Sequence, residues 1–150
     1  VYGKTYPQPR LTALYGNNGK AYSYSNITMN PHPFSAALIS IKNKIETVCE
    51  AHFITCLLNL YRNGQDSNGW HADDEKELGK NPVIASVSFG EERPFHLKHK
   101  IDKNLKHKIV LQHGSLLIMQ GETQHKWLHQ IAKTQQKVNP RINLTFRVIP

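Results

Sequence analysis

The sequence predicts a mainly β protein with one long helix, folded as an antiparallel barrel or a jelly-roll sandwich. Apolar residues recur at three- and four-residue steps over one long stretch only, residues 34–48. From residue 53 onward the apolar period is two, and short segments of this kind alternate with turn signals. A chain of 150 residues with 39% hydrophobic content has the size of one domain with a real core.

The single long helix is predicted just after Pro31 and Pro33, because proline is compatible with a helix start but not with its interior. Its apolar positions define one face, which we expect to pack on a sheet. That face comprises Phe34, Ala37, Leu38, Ile41, Ile45 and Val48.

The first strand after the helix is predicted at residues 53–61, where the alternation separates two faces. One face holds Phe53, Thr55, Leu57, Asn59 and Tyr61, and the other holds Ile54, Cys56, Leu58 and Leu60. Residues 1–30 have the pattern of short extended pieces between turns, including Tyr22–Tyr24. Later strands are predicted at 83–89, 94–99, 108–112, 115–120, 127–131 and 141–149.

The charge balance indicates a polyanionic partner. The formal net charge is +8, which favours nucleic acid first and an acidic membrane surface second. No apolar run approaches the roughly 20 residues of a membrane span. We expect a monomer inside the cell, in the nucleus if the source is eukaryotic and in the cytoplasm if it is bacterial. Cys49 and Cys56, the two cysteines, fit buried free thiols in a reducing compartment.

Residues 97–108 form an unusually basic stretch. Its positive or titratable residues are Lys98, His99, Lys100, Lys103, Lys106, His107 and Lys108. Two interpretations remain open, a solvated hairpin tip and a loop that grips phosphates.

The segment Arg141–Arg147 has polar residues at every second position. In a strand, Arg141, Asn143, Thr145 and Arg147 would line one face. Two arginines with an amide and a hydroxyl suit a pocket for a small anion, because the arginine fork matches a carboxylate. The alternative is an edge strand whose polar face is solvated.

His71-Ala-Asp73 places an imidazole and a carboxylate on the same side of an extended segment. With a second histidine these residues form the two-histidine, one-carboxylate triad that binds Fe(II) and leaves positions open. A local alternative is that Asp73 or Asp74 caps a helix beginning at Glu75. Spacing does not choose the third ligand among three later histidines, which are His113, His125 and His129.

Six motifs in this order resemble the AlkB family of Fe(II)/2-oxoglutarate dioxygenases, along essentially the whole chain. They look closest to the branch that repairs alkylated bases in double-stranded DNA. The motifs are Asn59-Leu-Tyr61, His71-Ala-Asp73-Asp74-Glu75, Ile84-Ala-Ser-Val-Ser-Phe89, His113-Gly-Ser-Leu-Leu-Ile-Met119, Trp127-Leu-His129 and Arg141-Ile-Asn-Leu-Thr-Phe-Arg147.

The resemblance implies a double-stranded β-helix core, the jelly roll, flanked by an N-terminal helix and a substrate-recognition lid. A single domain would then span residues 1–150, with the nucleotide-recognition lid at 1–30 and the helix plus catalytic core at 31–150. The implied Fe(II) ligands are His71, Asp73 and His129. The implied 2-oxoglutarate residues are Asn59, Tyr61, Arg141, Asn143, Thr145 and Arg147, with O2 as the second substrate.

The resemblance also implies substrate contacts. Val1, Tyr2 and Gly3 would belong to a finger loop beside a flipped base, and Tyr22, Ser23 and Tyr24 would cover and stack that base. Asp74 and Glu75 would contact its exocyclic atoms, and a carboxylate there suits a cationic lesion. Apart from the resemblance, Arg10 and the basic stretch 97–108 are expected to supply part of the contact with the DNA backbone.

The implied activity is oxidative demethylation of 1-methyladenine and 3-methylcytosine in DNA, with release of formaldehyde, succinate and CO2. Duplex DNA is favoured, with single-stranded DNA or RNA as an alternative and a non-catalytic nucleic-acid-binding barrel as another. Two positions depart from the duplex branch: Tyr2 stands where phenylalanine is usual, and residues 134–136 are Thr-Gln-Gln where that branch has a basic triplet.

Overall fold

The computed structural model describes residues 8–16, 22–24 and 27–150, and only the backbone of residues 22–24 and 27–29. The strands in these ranges are β1 (Leu11–Gly16), β2 (Tyr22–Tyr24), β3 (Ile27–Met29), β4 (Thr55–Tyr61), β5 (Asn68–His71), β6 (Ile84–Gly90), β7 (Arg93–His99), β8 (Lys106–Leu111), β9 (Ser115–Met119), β10 (Trp127–Ile131) and β11 (Arg141–Arg147). The helices are α1 (Ala36–Glu46), a 3₁₀ turn at Lys76–Leu78 and the single-turn α2 (Thr123–Lys126).

Two antiparallel sheets form the body of the structure. The major sheet has the order β1-β4-β11-β6-β9, and the minor sheet has the order β5-β10-β7-β8. From β4 onward each strand and the next lie in different sheets, as in a jelly roll, except for the hairpin β7–β8 within the minor sheet. Strands β2 and β3 form a separate hairpin. This architecture confirms the predicted mainly β class with a jelly-roll core.

The last strand, β11, lies in the middle of the major sheet. Arg141 pairs with Tyr61 of β4 on one side and with Gly90 of β6 on the other. The two terminal residues of β11 are both buried, since Arg141 is 2% exposed and Arg147 is 3% exposed. The alternative of an edge strand with a solvated polar face is therefore wrong, and the polar residues of β11 face the interior of the jelly roll.

Two apolar clusters occupy the two faces of the major sheet. The inner cluster fills the space between the sheets and comprises Leu14, Leu57, Tyr61, Leu78, Ile84, Phe95, Leu111, Met119 and Ile131. The outer cluster joins the major sheet to α1 and comprises Leu38, Ile45, Cys49, Phe53, Cys56, Ala85, Val87, Leu144 and Phe146. Polar residues on the inner face of the major sheet therefore lie beside the inner cluster.

Helix α1 begins where its sequence provides a cap. The Ser35 hydroxyl accepts a hydrogen bond from the Leu38 N–H at 3.2 Å, which satisfies one of the free donors of the first turn. Leu38 and Ile45 are buried against the sheet, as predicted, whereas Ala37, assigned to the same face, is exposed. Val48 lies beyond the end of the helix and is 66% exposed, so its assignment to that face is wrong.

The predicted face of the strand at residues 53–61 is also wrong at one residue. Strand β4 begins at Thr55, and Phe53 precedes it. Without the alternation of a strand, the Phe53 side chain turns to the outer cluster, where its ring lies 6.1 Å from that of Phe146. Across the described residues, the structure contains no helix long and apolar enough to cross a membrane.

Leu144 and Ile142 provide a matched test of the outer cluster, because they share a strand and a face. Leu144 is 4% exposed, whereas Ile142 is 42% exposed beyond the cover of α1. We expect Leu144→Ala to lower the free energy of unfolding by about 2–5 kcal/mol through the cavity it leaves. Ile142→Ala should cost less than about 1 kcal/mol in the same urea titration. Equal losses would contradict the assignment of these packing environments.

Candidate metal centre and anion pocket

Three potential metal ligands meet between the sheets. His71 ends β5, Asp73 follows it by two residues, and His129 lies on β10 directly opposite His71. One ligand atom of each residue lies within 4.8 Å of the ligand atoms of the other two. The pairing of β5 with β10 thus brings the downstream histidine to the His71-Ala-Asp73 segment.

The other two candidate histidines have different positions. His113 accepts a hydrogen bond from the Gly90 N–H at its Nδ1, over 2.9 Å. His125 accepts one from the Asn81 N–H at its Nε2, over 3.0 Å. Each imidazole therefore caps a backbone group away from the metal-ligand cluster.

Asp73 is not a helix cap. The residue before the 3₁₀ turn is Glu75, and its side chain makes no capping hydrogen bond. Asp73 is only 2% exposed, and its carboxylate points into the protein. The local alternative of an aspartate capping a helix at Glu75 is therefore wrong for this residue.

The Asp73 carboxylate is held by a buried ion pair, while one of its oxygens accepts no hydrogen bond. Arg147 Nη2 lies 3.2 Å from Oδ2. The other oxygen, Oδ1, is buried without a hydrogen-bond donor and lies 3.9 Å from His71 Nε2. Burial alone would raise the pKa of Asp73, but the charges of Arg147, His129 and His71 hold that pKa below its usual value. A carboxylate oxygen without a donor, beside an imidazole nitrogen, is suited to a cation.

Both imidazoles can present a lone pair to a metal. His71 Nδ1 lies 2.6 Å from the Gly69 carbonyl oxygen, which only accepts, so the proton is on Nδ1 and the lone pair is on Nε2. His129 is stacked on Phe95 with 5.1 Å between ring centroids. Burial, together with the charge of His71, lowers the pKa of His129 to about 4, so this ring is neutral at neutral pH. Two imidazoles that can each offer a nitrogen lone pair, together with one carboxylate, are a donor set that fits Fe(II).

A buried arginine lies in the same cavity as the metal-ligand cluster. Arg141 Nη2 donates to Ser88 Oγ at 3.0 Å, and Arg141 Cζ lies 5.0 Å from the centroid of the Tyr61 ring. Its Nε and Nη1 have no acceptor among the described residues. Burial lowers the pKa of Arg141, and the nearby Tyr61 opposes that shift. A buried guanidinium with donors to spare is suited to a carboxylate.

Hydrogen bonds fix the neutral polar side chains of the pocket. Asn143 Nδ2 donates to Ser86 Oγ at 2.6 Å, and Asn143 Oδ1 accepts from Thr145 Oγ1 at 2.7 Å. Across β4, Asn59 Oδ1 accepts from Arg10 Nε at 2.9 Å. The amides are therefore oriented before any ligand binds.

Arg10 lies in a different environment from the one predicted. It is 8% exposed, and it binds the Asn59 side chain and, at 3.2 Å, the Ser67 carbonyl. A guanidinium buried in this way is directed to the pocket wall, so the position does not fit a contact with the DNA backbone.

Sequence reasoning missed several residues that shape the cavity. Ser86 and Ser88 orient Asn143 and Arg141, and Gln124 Oε1 accepts from the Asp73 N–H at 2.8 Å. The alternation within Ile84–Gly90 places both serines on one face and could have identified them. Nothing local identifies Gln124, which reaches Asp73 from α2.

The predicted base-binding residues are only partly described. Val1, Tyr2 and Gly3 lie outside the described residues, as do the side chains of Tyr22, Ser23 and Tyr24, whose backbone forms β2. The Asp74 side chain is 51% exposed, and its Oδ2 lies 3.4 Å from Lys100 Nζ. Glu75 is partly buried beside it at the start of the 3₁₀ turn.

Comparison with known proteins agrees with this site. The model of the 2OG-Fe(II) oxygenase superfamily matches residues 2–147. The chain belongs to this superfamily and, within it, to the AlkB family. The family match and the cluster of two histidines and an aspartate confirm the prediction of Fe(II), 2-oxoglutarate and O2.

Two groups of curated relatives illustrate the family. The chain is 47% identical to the alpha-ketoglutarate-dependent dioxygenase alkB homolog 3 of Bos taurus, over 97% of this chain and 53% of that protein. It is 40% identical to the DNA oxidative demethylase ALKBH2 of Bos taurus, over 99% of this chain and 56% of that protein. The chain thus spans about half the length of these relatives.

A solved structure with the same fold supports the architecture. The structure of OsALKBH1 aligns with a TM-score of 0.68 at 19% identity, over 96% of this chain and 82% of that one. At this identity the likeness concerns the fold alone.

Gln124 is expected to stabilise the metal centre through the backbone of Asp73. Gln124→Ala removes the acceptor of a buried N–H, so we expect the Kd for Mn(II) to rise about tenfold, as for other groups behind metal ligands. Isothermal titration calorimetry measures that Kd without turnover. Gln120→Ala, at an exposed position three residues before the start of α2, is the matched control and should bind Mn(II) normally. A folded Gln124→Ala protein with unchanged Mn(II) affinity would contradict this role.

Proposed function

We propose that this chain is the catalytic domain of an AlkB-type dioxygenase that removes N-methyl groups from nucleobases in DNA. The observation that supports it is one cavity whose lining includes the three ligand residues His71, Asp73 and His129 together with Tyr61 and Arg141. A metal and a dicarboxylate bound in that cavity would be adjacent.

Fe(II) at this centre, together with 2-oxoglutarate and O2, supplies oxidation of an N-methyl group to a hydroxymethyl group that leaves as formaldehyde, while 2-oxoglutarate becomes succinate and CO2. The protein contributes positioning and charge. Arg147 keeps the Asp73 carboxylate ionised and oriented, and Gly69 fixes the tautomer of His71. Phe95 and the inner cluster exclude bulk water from the His129 side.

The cosubstrate residues divide along β11. Arg141, supported by Ser88 and close to Tyr61, binds the distal carboxylate of 2-oxoglutarate. Arg147 lies at the other end of the strand beside Asp73, where the keto-acid end would approach the metal. The two arginines therefore act on opposite ends of one ligand, which explains why six residues can separate them on the strand.

The substrate is an N-alkylated base such as 1-methyladenine or 3-methylcytosine. Tyr22 and Tyr24 stack the extruded base, since every base offers a π-face to an aromatic ring. Asp74 contacts its exocyclic atoms, and a carboxylate favours the positive charge that methylation places on the ring. Lys100 already pairs with Asp74 at 3.4 Å and links this carboxylate to the basic hairpin β7–β8.

Duplex DNA is the favoured form of the substrate, because the hairpin β7–β8 supplies exposed positive charge beside the site. Trp127 lies 5.1 Å from the His99 ring and 5.4 Å from the His107 ring, which fixes the hairpin on β10. Lys98 Nζ lies 4.2 Å above the Trp70 ring. The lysines of the hairpin β7–β8 can bind the phosphates of the second DNA strand. They are Lys98, Lys100, Lys103, Lys106 and Lys108. Single-stranded DNA or RNA is the second candidate, favoured by the uncharged Thr-Gln-Gln of residues 134–136.

The metal centre is tested by changing Asp73. Asp73→Ala should abolish restoration of adenine from 1-methyladenine in an oligonucleotide, because the triad loses its carboxylate. It should also abolish the weak visible charge-transfer band of the anaerobic complex with Fe(II) and 2-oxoglutarate. DNA affinity should stay within about twofold, since phosphates are bound elsewhere.

His113→Ala is the matched control, because this imidazole only accepts from the Gly90 N–H. It should keep the charge-transfer band and the turnover. Turnover that survives in Asp73→Ala would show that the triad is misassigned, and wild-type protein without any band would favour the non-catalytic binder.

The duplex preference is tested by comparing matched single- and double-stranded oligonucleotides that contain 1-methyladenine. We expect faster turnover on the duplex. The double variant Lys106→Gln, Lys108→Gln should weaken duplex binding about tenfold and flatten its dependence on log salt by about one unit per lysine. Single-strand binding should change by less than about twofold, because the second strand is absent.

Lys44→Gln, on the exposed face of α1, is the matched control for the loss of positive charge. It should bind both forms as the wild type does. Two results would contradict the assignment to duplex DNA. One is turnover more than about tenfold faster on the single strand, and the other is an equal loss of affinity for both DNA forms in the Lys106→Gln, Lys108→Gln variant.

A further inference from the structure

Arg93 is a buried cation that neither the triad nor the predicted cosubstrate residues include. It begins β7 and is 1% exposed. Its Nη2 donates to the carbonyl oxygens of Ala132 at 2.7 Å and Asp66 at 3.1 Å, and its Nη1 donates to that of Asn63 at 3.4 Å. The guanidinium therefore connects the loop that follows β4 with the loop that follows β10.

These two loops continue from strands that supply the site. Strand β4 ends at Tyr61, and β10, which contains His129, ends at Ile131. Arg93 Cζ lies 5.8 Å from the centroid of the Tyr61 ring, and Arg141 Cζ lies 5.0 Å from the same centroid. One tyrosine ring is thus in contact with two buried guanidinium groups.

The two guanidinium groups leave an excess of positive charge at this end of the cavity. Among the described residues, no carboxylate lies within 4.0 Å of Arg93 or Arg141. The Asp66 carboxylate is paired with Arg62, whose Nε lies 2.8 Å from Oδ2, so Asp66 and Glu91 act on Arg93 only at longer range. Two buried cations beside one ring are costly without a counter-ion, and a dicarboxylate supplies one.

We propose that Arg93 is a positioning residue of the 2-oxoglutarate pocket, which acts through Tyr61 and through its charge to favour a ligand with a distal carboxylate. It does not touch the ligand itself, because Tyr61 and Arg141 line the cavity and Arg93 does not, and its Nη1 and Nη2 donate to the three loop carbonyls. The inference rests on the proposed function, since it assumes that 2-oxoglutarate occupies this cavity.

A purely structural role would have a different signature. If Arg93 only stabilised the two loops, its substitution would lower the melting temperature and would weaken the binding of all keto acids equally. If it acts through Tyr61 and charge, its loss selects against the acid with the distal carboxylate. The two roles are therefore separated by comparing 2-oxoglutarate with 2-oxobutyrate, which lacks that carboxylate.

The experiment measures the Kd of each keto acid for the Mn(II)-loaded protein by calorimetry, without turnover. Arg93→Gln should raise the Kd for 2-oxoglutarate about tenfold. The Kd values for 2-oxobutyrate and Mn(II) should rise by less than about twofold. Arg93→Lys keeps the charge but lacks the planar fork, so its Kd for 2-oxoglutarate should rise less than that of Arg93→Gln. In turnover the KM for 2-oxoglutarate should rise while kcat at saturation stays near that of the wild type.

A double-mutant cycle tests the route through Tyr61. The losses from Arg93→Gln and Tyr61→Leu should not add, because the first acts largely through the second. Arg62→Gln is the matched control, since Arg62 holds the same loop through Asp66 but does not lie against Tyr61. It should lower stability and leave the Kd for 2-oxoglutarate within about twofold.

Several outcomes would overturn the proposal. They are an unchanged Kd for 2-oxoglutarate in folded Arg93→Gln, equal weakening of both keto acids, and additive losses in the cycle. If neither Arg93 variant folds, the residue is structural and the proposal falls. Wild-type protein that fails to bind 2-oxoglutarate would end the proposed function as well, whereas normal binding with insensitive Arg93 variants would end this inference alone.

Discussion

The ion pair between Arg147 and Asp73 joins the central strand of the major sheet to the segment that supplies two of the three metal-ligating groups. Both side chains are almost fully buried, with 3.2 Å between Nη2 and Oδ2. Loss of one partner from a buried pair costs about 3–5 kcal/mol, because the remaining charge is left in a medium of low dielectric. The position of Asp73, and through it the geometry of the centre, therefore depends on where β11 lies.

Central placement of β11 has a second consequence. A strand with neighbours on both sides satisfies its backbone within the sheet, so its side chains can be committed to one ligand pocket. Arg141 is supported by Ser88 of β6 and lies close to Tyr61 of β4, one residue from each neighbouring strand. The cavity is thereby preorganised, and its excess positive charge favours a dianionic ligand over water.

Some errors of the sequence interpretation have a common physical cause. Phe53 and Val48 continue the apolar period of β4 and α1, but both lie just outside these elements. Their side chains therefore do not share the face that the period predicts. Arg10 carries a positive charge that could bind a phosphate. It is nevertheless buried, and it contacts Asn59 and Ser67, which are distant in sequence. Periodicity describes a regular backbone, and it ends where that backbone ends.

The sequence alone determined which polar residues share a face of β11, because the alternation of a strand is fixed by covalent geometry. It also determined the β class, the single long helix and the His71-Ala-Asp73 motif, all of which are local patterns. Motif spacing left His113, His125 and His129 open as the third ligand, and the family resemblance favoured His129. Only the tertiary structure placed His129 opposite His71. It also decided that Gln124 and Arg93 support the site. Those contacts join residues distant in the chain, and the register of strand pairing, to which no local pattern is sensitive, sets them.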